Sequence, residues 1–301
     1  MPYDRTKGGR KMNKKIILCL TALCMCLVST TLGVKAANAP EIWGMNSTKD
    51  SGYRLVYEEI SEDLDPTLKK YYTYDEATGN LITERWVSED EDKLYKYVYD
   101  EVGRLIRTTT TYKDDPKIYG YECEYEGDEN SLLTRTYDID SETGSRKFWY
   151  MDKEIYSKKR LVKHVYYEGM DPEDLYKYKY DKKGNLKKES FYKRVNGKWV
   201  YQNADKYTYE KVNGIYVQKT HKWKQGKYVY NEYCSYNSHG DIKQISYKTY
   251  KNGKRREDLD QTYYYNHKYD KAGNVIRTKI TKKGSAVYYR IYKYKWEPKT
   301  R

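Results

Sequence analysis

The residue types able to do covalent or metal chemistry are few and scattered. His164, His221, His239 and His267 fall in no His-Glu-x-x-His pattern, no cysteines stand at metal-ligand spacing, and no Gly-x-Ser-x-Gly elbow occurs. His267 sits two residues before Tyr269, in a slot that other segments fill with Tyr or Cys, which marks it as a sheet residue. Asp and Glu number 44, so carboxylate spacings compatible with glycoside hydrolysis arise from abundance alone. The sequence therefore assigns no catalytic residue, no cofactor and no metal ligand, and the chain is not expected to be an enzyme.

Recognition chemistry is better represented. Trp86, Trp149, Trp199, Trp223 and Trp296 fall on predicted strands, where flat rings can stack on sugar faces while neighbouring Lys and Arg bond hydroxyls or acidic groups. These five are the candidate ligand-binding residues, against the alternative that they thicken a packed aromatic stripe. The implied partner is an extracellular glycan or an anionic wall polymer. Lys-Tyr interleaving also suits single-stranded nucleic acid, but an exported chain is not expected to meet one.

The elements that must hold these residues come from a repeat. Tyr74-Asp75-Glu76-Ala77-Thr78-Gly79, Tyr99-Asp100-Glu101-Val102-Gly103, Tyr180-Asp181-Lys182-Lys183-Gly184 and Tyr269-Asp270-Lys271-Ala272-Gly273 are one motif, each followed by Asn or Arg and then Leu or Val. Weaker copies at Tyr125, Tyr156, Tyr209 and Tyr236 fill the gaps, a spacing of about 28 residues. Before each anchor the chain alternates, as in Tyr95-Lys96-Tyr97-Val98-Tyr99, which puts Tyr on one strand face and Lys or Val on the other. Asp at the strand end can accept hydrogen bonds from the turn backbone, and Gly supplies the positive φ of a tight hairpin. Asn196-Gly197, Gln225-Gly226 and Asn252-Gly253 mark the return turns, which are longer and acidic in the N-terminal half. None of those acidic loops repeats a calcium-ligand spacing.

Composition agrees with thin, half-wet sheets. Tyr contributes 40 residues and Phe 2, so most aromatic surface carries a hydroxyl that needs a partner. Mean hydropathy is -1.10, which excludes a deep aliphatic core, while the wealth of aromatic residues argues against disorder. At the N-terminus, Lys14 and Lys15, an apolar run from Ile16 to Val28 and small residues around Ala36 make an export signal over residues 12–36, with cleavage expected after Ala36. Residues 1–11 are expected to be untranslated, since Lys7-Gly8-Gly9-Arg10-Lys11 can encode a purine-rich ribosome-binding site ahead of Met12. Residues 37–52 form a linker, and 53–301 the repeat domain. No lipobox precedes Cys24 or Cys26, and the apolar run is too short for a comfortable membrane span. Removing residues 1–36 takes away seven basic residues and one acidic residue, leaving the charge at +8 instead of +14. Of five cysteines only Cys123 and Cys234 remain, four units apart, and no disulfide is expected, because an open sheet would hold them nearly 40 Å apart.

The Tyr-Asp-x-x-Gly-Asn/Arg-Leu signature resembles the YD or RHS repeat family over residues 53–301. The resemblance implies a bacterial antiparallel meander that winds into a spiral or shell in exported and surface-exposed proteins, with glycan binding proposed for some. The chain is too short for a toxin cage and lacks the self-cleavage region. Gly197-Lys198-Trp199-Val200-Tyr201 also echoes cell-wall-binding hairpins, whose shorter period does not continue here. The resulting expectation is an all-β tandem-hairpin meander of about sixteen strands. It would form an elongated twisted sheet or a partly closed roll, serving as a secreted interaction or scaffold protein that is released or held at the cell surface by adsorption alone. A polysaccharide-acting hydrolase is the competing class, and the sequence leaves oligomeric state open.

Overall fold

The computed structural model describes residues 53–62, 67–285 and 288–299. The export signal, the upstream segment 1–11 and the linker 37–52 lie outside the described residues. The described chain is all antiparallel β, with a single 3-10 turn at Glu257–Leu259. Strand β1 (Tyr53–Glu62) precedes eight hairpins. These are β2 (Leu68–Tyr74) with β3 (Leu81–Val87), β4 (Asp92–Tyr99) with β5 (Leu105–Tyr112), β6 (Asp115–Asp128) with β7 (Ser131–Ile139), and β8 (Arg146–Ser157) with β9 (Arg160–Glu168). They continue as β10 (Asp171–Tyr180) with β11 (Leu186–Val195), β12 (Lys198–Val212) with β13 (Ile215–Gln225), and β14 (Tyr228–Tyr236) with β15 (Ile242–Lys251). After the two-residue β16 (Lys254–Arg255) come β17 (Gln261–Tyr269) with β18 (Val275–Lys282), and finally β19 (Tyr288–Pro298).

The sheet is not open. β19 pairs with β1, β1 with β2, and β15 bypasses β16 to reach β17, so the described strands close into an 18-strand barrel. This corrects the elongated sheet and the partly closed roll, and the count of sixteen, which omitted β1 and β19. Those two make a ninth hairpin unit from the two ends of the repeat domain. In the units anchored at Tyr74, Tyr99, Tyr180, Tyr236 and Tyr269, the anchor pairs with the Leu, Ile or Val that follows the turn, and one residue bulges beside it, as in Tyr74↔Leu81 followed by Thr73↔Thr83. At the seam Trp296↔Leu55 is followed by Lys295↔Tyr57, the same register with the same bulge. Trp296 is therefore a ninth anchor in the Tyr slot, 27 residues after Tyr269.

The turns work as the motif predicts. Asp100 Oδ1 accepts the Arg104 backbone N–H at 2.7 Å, Asp181 that of Asn185 at 2.9 Å and Asp270 that of Asn274 at 2.8 Å. Gly184 closes its turn at φ +94°, a conformation side-chain-bearing residues rarely adopt. The Asn/Arg slot is explained too: Arg104 Nε, Asn185 Nδ2 and Asn274 Nδ2 each bond the second oxygen of the same carboxylate, at 2.6, 3.0 and 3.1 Å. In the eroded copies at Tyr156 and Tyr209 this turn is lost. Lys158-Lys159 and Asn213-Gly214 replace it, both with positive φ at two successive residues, as a type I′ hairpin requires.

Anchors also lock each unit to its neighbour. The Tyr74 hydroxyl donates to the Leu55 carbonyl at 2.6 Å, Tyr99 to Leu81 at 2.8 Å, Tyr125 to Leu105 at 2.5 Å and Tyr180 to Leu161 at 2.8 Å, and Tyr236 donates to Gln218. Trp296 donates its indole N–H to the Val275 carbonyl at 2.6 Å. The acceptors are backbone carbonyls beside the anchor-side turns, and the Tyr74 bond spans the join between the ninth unit and the first.

Alternation sorts the two faces. The anchor face carries Tyr72, Tyr74, Leu55, Ile245, Val275 and Tyr294, all buried. Ring contacts on this face reach past an intervening strand, as between Trp223 and Tyr247 across β14. Side chains on a concave surface converge in this way, so the anchor face lines the barrel. The convex face carries Lys69, Lys96, Lys179, Lys206, Lys222 and Lys268, all exposed. A charged side chain facing lipid at mid-bilayer costs about 2–4 kcal/mol. Such charges recur around the convex face of the described strands, and no helix among the described residues is long and apolar enough to cross a membrane.

The closing anchor can be tested directly. Trp296→Phe, which removes the indole N–H and part of the ring but keeps an aromatic in the slot, should cost about 1–3 kcal/mol. Trp296→Ala, which also opens the seam, should cost about 3–5 kcal/mol. Urea unfolding of the two variants measures both.

Candidate functional site

Outward from the backbone register, the inner face of β8 to β14 brings together acids, histidines and rings that lie far apart in sequence. Asp152 pairs with Tyr166, and His164 with Tyr176, which pairs in turn with Phe191. Glu189 stands directly opposite Asp205, Tyr207 opposite His221, His221 opposite Glu232, and Trp223 opposite Tyr230. Asp152 Oδ1 lies 2.7 Å from His164 Nε2, and Asp205 Oδ2 lies 3.1 Å from His221 Nε2. The result is two His-carboxylate pairs flanking Glu189.

A stack of rings runs beside the acids. Tyr207 and His221 lie 4.5 Å apart at 12°, His221 and Trp223 4.7 Å apart, and Trp223 and Tyr230 5.1 Å apart at 17°. A second stack joins His164, Tyr176 and Phe191. Cross-strand pairing at the normal Cβ spacing of about 5 Å produces this stacking without special loops.

The electrostatics of the strip follow from crowding on a concave face. Burial, together with the facing Asp205 carboxylate, pushes the Glu189 carboxyl up to about 7, with His164 and His221 pulling the other way. Burial works against charge on His164, but the Asp152 hydrogen bond and charge prevail and raise its pKa. Elsewhere on the lining, acids are satisfied by aromatic donors. Glu84 accepts from Trp86 Nε1 at 2.6 Å and Tyr97 at 2.9 Å, and buried Glu58 accepts from Tyr72 at 3.2 Å. Cys123 and Cys234 are free thiols on β6 and β14, eight strands apart around the ring, and burial raises both, Cys234 to about 12. His267 donates or accepts at Thr278 Oγ1, 2.8 Å, and at the Ile242 carbonyl, 2.7 Å, a local sheet role.

The five tryptophans are not brought together. Trp86 is half-buried on the lining with Lys70 over its ring at 4.5 Å, and Trp223 sits within the ring stack. Trp296 closes the seam. Trp149, 47% exposed, edge-on to Tyr150 and left unpaired at the β7–β8 bulge, and Trp199, 38% exposed near the start of β12, lie apart from the others. Sequence reasoning passed over Asp152, Glu189, Asp205 and Glu232 because acids are abundant. A signal existed in the repeat register: four residues before the eroded anchors Tyr156, Tyr209 and Tyr236 stand Asp152, Asp205 and Glu232, where the full-signature units have Tyr or Lys. Among the described residues no group of three His, Cys, Asp or Glu could hold a metal ion.

The raised Glu189 carboxyl carries a pH signature. The folded chain holds a proton on Glu189 that the unfolded chain releases near 4.5, so stability should fall as pH rises from about 4.5 to about 7 and level off above. The raised His164 pushes in the same direction at higher pH. Glu189→Gln should flatten the acidic part of this slope and stabilise the chain at pH 8 by up to about 3 kcal/mol. Chemical denaturation across pH measures it, and an unchanged slope would contradict the assignment.

No family model matches the chain, and no curated protein does. Among solved structures, a porin-like protein from Bacteroides uniformis ATCC 8492 aligns at a TM-score of 0.43 and 12% identity over 81% of this chain and 96% of that one. A porin-like protein from Bacteroides vulgatus ATCC 8482 aligns at 0.29 and 10% over 81% and 98%. A TcdB2-TccC3-Cdc42 structure aligns at 0.29 and 14% over 75% of this chain and 13% of that one. Scores of this size do not establish a shared fold, and the barrel assignment rests on the strand pairing itself.

Proposed function

We propose that the chain is an exported bacterial repeat protein that acts by binding or scaffolding rather than by catalysis, with an extracellular glycan or an anionic wall polymer as its partner. The observation carrying this reading is the segregation of charge by the sheet. Lysines stand exposed around the convex face, beside some exposed rings such as Tyr71 and Tyr264 and acids held in ion pairs, while the lining takes the buried Glu58, Asp152 and Glu232, leaving a basic, hydrated exterior suited to anionic polymers. The resemblance of the turns to YD repeats supports it, as do Trp149 at a bulge and Trp199 near a strand start, both exposed where sugar rings have access.

One observation favours a second reading. Glu189 and Asp205 are directly opposed, one carboxyl is raised to about 7, and a ring stack adjoins them. Two carboxyls on facing residues, one of them held protonated to higher pH than usual, are what a polysaccharide-acting hydrolase would use. A glycan array run beside a screen for released reducing ends separates the two. Binding without product release is the expected result, whereas turnover lost in both Glu189→Gln and Asp205→Asn would overturn the binding-only reading.

A further inference from the structure

The convex face carries a lysine row that antiparallel pairing does not favour. Lys179 on β10 stands directly opposite Lys188 on β11, which stands opposite Lys206 on β12, which stands opposite Lys222 on β13. The line then passes through Asn231 on β14 to Lys248 on β15. Like charges directly opposite one another destabilise a sheet. Yet Lys179, Lys188, Lys206 and Lys222 have no ion-pair partner among the described residues, although ion pairs are frequent elsewhere on the barrel, as at Arg85–Asp92 and Arg135–Glu126. Four successive ammonium groups at a strand spacing of about 4.8 Å make a straight basic track across the strands.

The flanks of the track specify the occupant. Ser190 and Ala204 lie on one side, and Thr208 and Thr220, hydroxyl to hydroxyl at 2.6 Å, on the other. Ser190 is buried, so this stretch offers charge and threonine hydroxyls, with one exposed ring beside it, Tyr233 opposite Thr220, over which the Lys248 ammonium lies at 5.0 Å. A run of nucleobases or pyranose faces would find a single ring beside the lysine row, and the Lys248 ammonium already covers a face of it. Lysine ammoniums act as mobile point charges, which suits a flexible row of phosphates better than a planar, bidentate group.

We propose that Lys179, Lys188, Lys206, Lys222 and Lys248 form the docking track for a linear polyol-phosphate chain of the cell envelope, lying perpendicular to the strands. This rests on the reading of the protein as an exported polymer binder and assigns that polymer a chemistry and a place. The track differs from the aromatic and acidic lining in both face and charge.

The test uses the full chain with synthetic poly(glycerol phosphate), and with hyaluronate, a neutral glucan and a single-stranded oligodeoxynucleotide as comparators. With about four phosphate contacts the log-log salt slope should be near -3, a loss of about 50-fold between about 50 and 200 mM salt. Lys206→Gln combined with Lys222→Gln should weaken binding by roughly tenfold or more and reduce the slope by about 1.4, since each contact contributes about 0.7. The thermal midpoint of that double variant should hold or rise, because a like-charge pair is relieved. The off-track double variant Lys96→Gln with Lys254→Gln should bind as the parent does. Equal losses in both double variants, no loss in the track variant, or binding of hyaluronate or the oligonucleotide as tight as that of poly(glycerol phosphate) would overturn the proposal. Binding of hyaluronate or the neutral glucan without poly(glycerol phosphate) would overturn the track while leaving the polymer-binding function standing. No binding to any of the four would remove both.

Discussion

The structure depends on one hydrogen bond repeated at six of the nine anchors: a side chain reaching to a backbone carbonyl beside the turn of the preceding unit, with Tyr269 reaching the Asp241 carboxylate instead. A hairpin has marginal stability alone, and the turn-end carbonyls would be left unsatisfied as the lining packs over them. Tyr is the residue able to pack its ring on the lining and still deliver a donor at its tip. The wealth of Tyr over Phe follows directly. Where the bond is made by an indole instead, at Trp296, the geometry is kept and the ring is closed.

Closure by the two ends changes what the array is. An open meander has two edge strands exposing unpaired amides and carbonyls, a standing risk of edge-to-edge association. Pairing β19 with β1 in the register of an ordinary unit removes both edges and makes the last strand the first strand's partner. An all-antiparallel ring needs an even number of strands, which nine two-strand units satisfy. At 18 strands the ring is in the size range that encloses an aqueous interior. A polar lining of tyrosines and hydrogen-bonded acids is compatible with such a setting, and a dry aliphatic core is not.

The eroded units supply three of the lining's crowded acids, while Glu189 comes from the full-signature unit at Tyr180. Units with the full signature repeat Tyr on the inner face, whereas those at Tyr156, Tyr209 and Tyr236 place Asp152, Asp205 and Glu232 there and pair two of them with histidines from β9 and β13. The loss of the motif Gly at Tyr156 and Tyr209 accompanies a simpler hairpin turn, so the fold tolerates the erosion while the surface changes. On the convex side the lysines between tyrosines become neighbours, because the pairing register sets alternate residues opposite alternate residues.

The repeat, its two-strand unit, the Asp-Gly turns and the division of Tyr and Lys between faces were all legible in the sequence, because each is set by contacts within about ten residues: alternation, turn chemistry and a side chain bonding its own loop. Residues 53–62 and 288–298 were not recognised as strands of a ninth unit, since its halves lie more than two hundred residues apart and its anchor is Trp. Nor could the sequence show that Glu189 meets Asp205, or that Lys179, Lys188, Lys206 and Lys222 stand in line. Those meetings depend on the register between strands, which bulges shift by a residue at a time. Only the closed sheet decides which residues stand opposite one another, and with them where acid crowds inward and bare charge is left outside.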